Sequence, residues 1–298
     1  MDKITEFVEN RPEVVAAYAY GSGVFKQTNN NPNKKTQIDL ILVVDNLKDW
    51  HQKNMKLNKH DYSLMGKEFF KYASEDVVKG NTGIAYISDI KFDGTLFKYG
   101  TIEEADLRKH LITWDSFYVP GRMQKPILPV VYNDTLARLI ANNRRQALVV
   151  ASYLQTKDEV TKEDLLTTVC GLSYAGDARM AYAEKPTKVK DIVNGGLEDL
   201  LKIYDFDVDY LIPSDDKYVI TKSKMAADLY TLPEELLSHI RFTFKANDTK
   251  LIERTISDYF NTINHQESTA QTFKGVQSDG LCKSVVYGLR KVQKRFKK

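Results

Sequence analysis

The sequence predicts an α/β fold, α+β in layout: a mixed strand-and-helix domain, then a mainly helical domain, then a basic amphipathic helix at the C-terminus. Three observations predict it. Over roughly the first 120 residues, short apolar runs of strand character alternate with helical stretches. From Tyr132 onward the apolar spacing turns helical, as Leu136, Leu139, Ile140, Ala147, Leu148 and Val150 mark out. In the tail, Val285, Leu289, Val292 and Phe296 share one helical face beside Lys283, Arg290, Lys291, Lys294, Arg295, Lys297 and Lys298, with no acid among the last seventeen residues. The expected divisions are 1–122, 123–245 and 246–298.

Taken in order, residues 3–10 read as a short helix stopped near Pro12, and Val14 to Tyr20 as a buried strand ending at Gly21. A polar loop over residues 29–35 leads into a second strand, Ile38 to Val44, which carries Asp39 near its start. Trp50 to Tyr72 reads as mostly helical and Gly80 to Gly83 as a turn. Ile84 to Ile90 and Thr95 to Ile102 then form two strands around Asp93-Gly94. A helix from Glu103 to Trp114 closes the first domain. A long helix runs from Asn133 to about Gln155, Thr161 with Asp164 makes a capping box for the next, and further helices cover 187–204, 233–245 and 248–263.

The 298 residues are enough for two domains. No run of about eighteen apolar residues occurs, which excludes a helical membrane span. The start lacks a signal-peptide core, and its acids and missing early arginines argue against a mitochondrial presequence. Cys170 and Cys282 are too few for a zinc cluster and suit a reducing compartment, with Cys170 expected in the core. The net charge of +3 is too small for a nucleic-acid coat. The tail's pattern suits an anionic lipid surface, or a terminal helix docked on the protein by its apolar face.

The chemistry-bearing stretch is Tyr20-Gly21-Ser22-Gly23 followed by Asp39. A strand, a small-residue turn and a strand bearing a carboxylate open a nucleotidyltransferase domain. Glycines let the backbone approach a triphosphate, Ser22 can donate to it, and Asp39 would hold Mg²⁺ over the phosphates. An ordinary turn beside a solvated acid reads the same way. Lys98, inside an apolar strand, either points out of the sheet or serves a phosphate. Arg122 and Lys125 sit between Pro120 and Pro126 on a constrained loop, as binding residues commonly do. Ser173-Tyr174 with Gly176-Asp177 and Arg179 gathers hydroxyls, a carboxylate and a guanidinium. Arg179 there can offset phosphate charge, and Asp177 can act as base or metal ligand, unless the two merely cap a helix. His51, with Trp50, Asn54 and Asn58 at helical spacing, meets a phosphate or is an exposed helix histidine.

In combination these motifs resemble the mitochondrial translocator-assembly-and-maintenance family of phosphatidate cytidylyltransferases. The resemblance runs in order through Tyr20-Gly21-Ser22-Gly23-Val24-Phe25, Asp39-Leu40, Trp50-His51, Tyr62-Ser63, Lys98-Tyr99-Gly100, Trp114, Gly121-Arg122 with Gln124-Lys125-Pro126, Asn143, Leu172-Ser173-Tyr174 with Gly176-Asp177 and Arg179-Met180, Thr231-Leu232-Pro233 and Lys274-Gly275. It implies a nucleotidyltransferase domain joined to a winged-helix-like domain, with CTP and Mg²⁺ between them. The implied reaction converts CTP and phosphatidate to CDP-diacylglycerol and pyrophosphate. Asp39, Lys98, Asp177 and Arg179 are then the expected catalytic residues, and Asp39 with Asp177 the metal ligands. Tyr20, Gly21, Ser22, Gly23, Tyr99, Arg122, Lys125 and Tyr174 are the expected CTP and phosphate contacts.

Three departures stand out. Asp61-Tyr62-Ser63 replaces the usual His-Tyr-Ser, His110 replaces an acid, and the targeting start is missing. They suggest a prokaryotic relative peripheral to the cytoplasmic face of the cell membrane. For a eukaryotic chain without its presequence, the place would be the matrix side of the mitochondrial inner membrane. Transfer to RNA or a protein hydroxyl and a non-catalytic winged-helix regulator are the rival readings, and no nucleic-acid partner is expected.

Overall fold

A computed structural model describes residues 2–25, 28, 37–182, 184–244 and 248–279. Asp2 caps α1 (Lys3–Glu9), and β1 (Ala16–Tyr20) follows. A 3-10 turn at Gly21–Gly23 leaves that strand, and β2 (Ile38–Val44) returns beside it. The stretch from Trp50 to Tyr72, expected to be mostly helical, holds two helices: α2 (Leu47–Leu57) and α3 (Leu64–Tyr72). Ser63 starts the second by accepting the Gly66 N–H at 2.9 Å. Then come α4 (Glu75–Lys79), a Gly80–Thr82 turn, and the hairpin of β3 (Ile84–Phe92) and β4 (Thr95–Glu103). Asp93 and Gly94 both take positive φ at its tip, as a two-residue type I′ turn requires.

Next are α5 (Glu104–Thr113), α6 (Pro120–Met123) and β5 (Ile127–Val131). The first sheet runs β3-β4-β2-β1-β5, with β2 and β4 parallel and the other pairs antiparallel. Strand β5 lies past the expected boundary at 122, so the first domain's sheet takes a strand from the stretch assigned to the second. Its Pro129 hid it, since proline is tolerated only at a sheet edge, where β5 sits.

The helical part comprises α7 (Asp134–Tyr153), β6 (Glu159–Val160), α8 (Lys162–Leu172), α9 (Arg179–Tyr182), α10 (Lys188–Ile203), β7 (Leu211–Ser214), β8 (Lys217–Ile220), α11 (Ala226–Leu229), α12 (Glu234–Phe244) and α13 (Thr249–Asp279). The expected Thr161–Asp164 capping box forms at the start of α8. A small sheet in the order β6-β8-β7 packs with these helices, and Cys170 lies fully inside their shared core.

Helix α13 is 31 residues long and passes its expected end at 263. Ile252, Ile256, Tyr259 and Phe260 fix its first half in the helical core. Its second half crosses to the first domain. There Gln271 donates to Thr82 and to the Ile84 carbonyl, and Lys274 Nζ donates to the Lys79 and Ile84 carbonyls at 2.5 and 2.8 Å. The polar half was invisible to apolar periodicity because its contacts are hydrogen bonds. The tail expected to meet a membrane, the last seventeen residues, lies outside the described residues. Among the described residues no helix is long and apolar enough to cross a membrane.

Candidate active site

Strand pleating decides which residues meet on the first sheet. Ala17, Ala19, Leu40, Leu42, Phe97 and Tyr99 enter the core beneath α1 and α2. Tyr18, Ile41, Tyr86 and Ile102 line the other face, which therefore also carries Tyr20, Asp39 and Lys98. Register puts Tyr20 opposite Asp39, and Asp39 opposite Lys98. Three expected site residues thus form one row across three strands.

Two glycines keep the end of this row open. Gly21 has φ of +77°, and a Cβ there would lie 3.5 Å from Asp39 Oδ2. A Cβ at Gly23 would strike the Gln37 carbonyl and the Ile38 Cα. Ser22 sits half-buried between them. On β4, any side chain at Gly100 would lie 2.6 Å from Ile84 and Tyr86, so glycine lets the Tyr86 ring settle over the strand. Lys98 Nζ lies 4.3 Å from that ring's centroid, and the Tyr20 and Tyr86 hydroxyls are 3.3 Å apart. Burial and the nearby Asp39 carboxylate push the Tyr20 phenol well up, so it stays a neutral donor.

The register also shows a carboxylate that sequence reasoning missed. Ile87 pairs with Tyr99 and Ile90 with Phe97, so Ser88 and Asp89 together oppose Lys98 in a β-bulge. Asp89 has φ of +58°, uncommon for a residue with a Cβ. Bulges with such strained residues recur beside functional sites, but nothing in the sequence signals this one.

The helical domain brings up the cations. Asn143 of α7 accepts from Trp114 Nε1 at 2.9 Å and from Gln124 at 3.1 Å, and donates to the Pro120 carbonyl at 3.0 Å. Arg144 donates to the Met123 carbonyl at 3.0 Å, and the Tyr204 hydroxyl to that of Gln124 at 2.7 Å. The short α6 is thereby fixed, with Arg122 stacked 3.7 Å from the Tyr118 ring centroid and donating to the Tyr118 carbonyl. Lys125 Nζ donates to the Gly121 carbonyl at 2.5 Å and to Ser173 Oγ at 2.7 Å. Burial pulls this lysine down to about 8. Its ammonium lies 5.5 Å from the centroid of the Tyr174 ring.

The segment after α8 holds the third group. Arg179 grips Asp177 through Nε at 3.0 and 3.1 Å and through Nη2 at 2.5 Å, and Asp177 also accepts the Arg179 N–H. Burial would raise the Asp177 carboxyl, but its bonds and charge from Arg179 outweigh that and hold it below the usual carboxylate range. Both oxygens of Asp177, the carboxylate expected to hold a metal, accept from Arg179, and this pairing orients the guanidinium. Helix α13 props the segment from behind. Asn264 donates to the Leu172 and Ala175 carbonyls at 2.7 and 2.8 Å, and Ser268 accepts the Ala178 N–H at 3.0 Å. A small cavity of about 10 Å³ between them is lined by Arg122, Ser173, Asp177, Arg179, Glu267 and Ser268, with Phe117, Tyr118 and Asn264.

Two expectations fail. Tyr99 faces away from the row, fully buried, accepting from Asn54 at 2.8 Å and donating to Asp61 at 3.0 Å. It is a core residue and no CTP contact, because neighbours of Lys98 on one strand point the other way. His51 is neither exposed nor a phosphate ligand. It is stacked on Phe70 and bonded to Tyr62 and Thr101 at 2.8 and 2.7 Å, and burial drives its ring down to about 3, hence neutral.

A magnesium ion fits the donor set at the row. Mg²⁺ takes hard oxygens, one or two from carboxylates and the rest from substrate phosphates and water. Asp39 beside the open Gly21 backbone offers the first, and Asp89 is a second carboxylate near Lys98. No cluster of three or more His, Cys, Asp or Glu side chains suited to a metal occurs among the described residues.

Comparison with known proteins gives the geometry a context. Residues 4–294 match the sequence profile of a family described as "Phosphatidate cytidylyltransferase, mitochondrial". Proteins of that description include one from Bos taurus, 29% identical over 96% of this chain and 91% of the bovine one. Another, from Caenorhabditis elegans, is 28% identical over 100% of this chain and 99% of its own length. A human one is 34% identical over 64% of this chain and 43% of its own. The profile spans nearly the whole sequence, including both the sheet that carries Asp39 and Lys98 and the helices that hold Arg122 and Arg179. The chain belongs to the mitochondrial phosphatidate cytidylyltransferase family.

Proposed function

We propose that this chain is a phosphatidate cytidylyltransferase, which joins CTP to phosphatidate to give CDP-diacylglycerol and pyrophosphate. Beside the family membership, one observation carries the reading. A carboxylate and a lysine in register on neighbouring strands share a sheet face with Tyr20 and Tyr86, and electrostatic coupling to Arg122 reaches both tyrosines.

In this reading a phosphatidate oxygen attacks the α-phosphorus of CTP and pyrophosphate leaves in line. A phosphate monoester is ionised at neutral pH, so no strong base is needed. The protein's work is to position and neutralise. Gly21, Ser22 and Gly23 cradle the triphosphate, and Tyr20 donates a hydrogen bond. Lys98 and Arg122 offset phosphate charge from the two sides, while Lys125 and Arg179 extend the cationic wall, with Tyr174 packed against Lys125. Asp39 would hold Mg²⁺, which when bound supplies charge neutralisation to the phosphates.

The order from α7 to β8, a helix, a strand, the helices α8 and α10 with the four-residue α9 between them, and a hairpin, supports a winged-helix reading of the second domain. The basic tail supports peripheral contact with an anionic membrane, where a lipid substrate lies. The relatives' description as mitochondrial favours the matrix side of the inner membrane over the cell-membrane face.

The test is labelled CTP with phosphatidate in mixed micelles, with Mg²⁺ or with EDTA. Label entering the lipid phase only with phosphatidate and metal supports the reading. A folded protein that binds CTP yet leaves the lipid unlabelled sinks it, and RNA and protein acceptors then come next.

A further inference from the structure

Glu267 has no place in the mechanism above, yet it lies at the site's back wall. It projects from α13 and is 4% exposed. Oε1 accepts the Phe117 N–H at 3.0 Å, whereas Oε2 is buried with no donor in good hydrogen-bond geometry, the Ser116 hydroxyl being its polar neighbour, and the residue lines the small cavity with Arg122, Asp177 and Arg179. A buried carboxylate oxygen without a donor is costly, and a fold retains one where something else is gained.

The charges around the cavity suggest the gain. Arg179 is paired with Asp177 through Nε and Nη2. Among the described residues no carboxylate forms an ion pair with Arg122, which bonds the Tyr118 carbonyl and lies among the phenols of Tyr20, Tyr86 and Tyr118. The Ser116 hydroxyl and the Phe117 N–H favour the Glu267 carboxylate most, the Arg122 charge on the same cavity adds to them, and Asp115 opposes them. Tyr259, on its own helix, is the other titratable neighbour, and it stays neutral because burial, Glu267 and Glu235 raise it.

We propose that Glu267 is the charge-compensating residue of the phosphate site, ionised while Arg122 has no phosphate and protonated from solvent when a phosphate anion joins Arg122. The inference rests on reading Arg122 as a phosphate ligand. Incoming anion and retained carboxylate cannot both share one buried guanidinium cheaply, so a proton enters with the ligand and the cavity's net charge is unchanged. Burial already pushes the Glu267 carboxyl up to about 7, so a nearby anion need only raise it further. By linkage, CTP affinity is full below that value and falls as pH rises through it, until the higher value of the bound state is passed.

The test is calorimetry of Mg·CTP binding to the full chain in two buffers of different ionisation enthalpy, for wild type and Glu267→Gln. The amide keeps the acceptor for the Phe117 N–H. At pH 7 Lys125, with its value of about 8, is already mostly protonated. The expected result is therefore uptake of roughly half a proton per CTP in the wild type and close to none in the variant. At pH 8 Glu267→Gln should bind CTP about tenfold more tightly, one unit of differential protonation. Equal uptake in both proteins, or no uptake in the wild type, overturns the proposal. The wild-type result at pH 7 decides alone should the variant fail to fold. No CTP binding by folded wild type would instead overturn the CTP reading of Arg122 itself, and this inference with it.

Discussion

The two faces of the first sheet are both polar, and they are polar in opposite ways. Below, Arg11, Asp61, Tyr99, Asn54, Tyr62, His51 and Thr101 form a closed chain of hydrogen bonds around one ion pair at 2.9 Å. Above, Tyr20, Asp39 and Lys98 stand in a row at the open end of a glycine turn. The lower set spends most of its donors and acceptors inside the fold, on one another and on Phe7, Asn58 and Ala85. The upper set keeps hard charges of both signs beside backbone that no side chain fills. The contrast teaches that a motif's residues need not share a task. Lys98 and Tyr99 are adjacent, and the pleat sends one to chemistry and the other to structure.

Breaking the upper face should have the largest effect. Asp39→Asn is expected to lower label transfer from CTP to lipid by about a thousandfold, with an unchanged melting temperature. A variant within tenfold of wild type would remove Asp39 from the site. The lower face should respond in the other way. Arg11→Ala leaves Asp61 charged and buried, and should cost about 3–5 kcal/mol in denaturant unfolding while the folded fraction keeps its kcat. Loss of kcat without loss of stability would contradict the division.

The clamp between the domains offers a pH test. Burial pulls Lys274 down to about 7, below its ordinary value, so the unfolded chain binds more protons between the two. Wild-type stability should therefore rise with pH from about 7 towards about 10.5, by on the order of a few kcal/mol at most, relative to Lys274→Met. Parallel pH curves for the two proteins would rule this out. The smallest effect is expected at the contact of α6 with the end of α8. A Cβ on Gly121 would lie 2.6 Å from the Ser173 Cβ, so Gly121→Ala should shift Arg122 and Lys125 and raise KM for CTP about tenfold. An unchanged KM would mean that α6 tolerates the displacement.

Local chemistry was readable in advance wherever it was carried by neighbours in sequence. The Gly21–Gly23 turn, the Asp39 strand, the Asp93-Gly94 hairpin and the Thr161–Asp164 cap all formed as expected. Long-range consequences were not readable. Whether Tyr99 faces CTP depends on which face the α6 segment covers, and that is set by Asn143 and Tyr204 from other helices. Asp89 is brought opposite Lys98 by a one-residue bulge that leaves no compositional trace. Glu267 meets Phe117 from 150 positions away, on a stretch of α13 whose contacts are polar, so hydrophobic spacing ended the helix too early.

The most direct test of the division between the faces is a pair of single substitutions on one strand, Lys98→Met and Tyr99→Phe. CTP turnover with phosphatidate and the melting temperature would be measured for each. The account predicts that Lys98→Met loses about a hundredfold in kcat/KM at unchanged stability. Tyr99→Phe should lower the melting temperature by removing its bonds to Asn54 and Asp61 while keeping kcat/KM within about threefold. The reverse pattern, with Tyr99→Phe inactive but stable and Lys98→Met active, would contradict it.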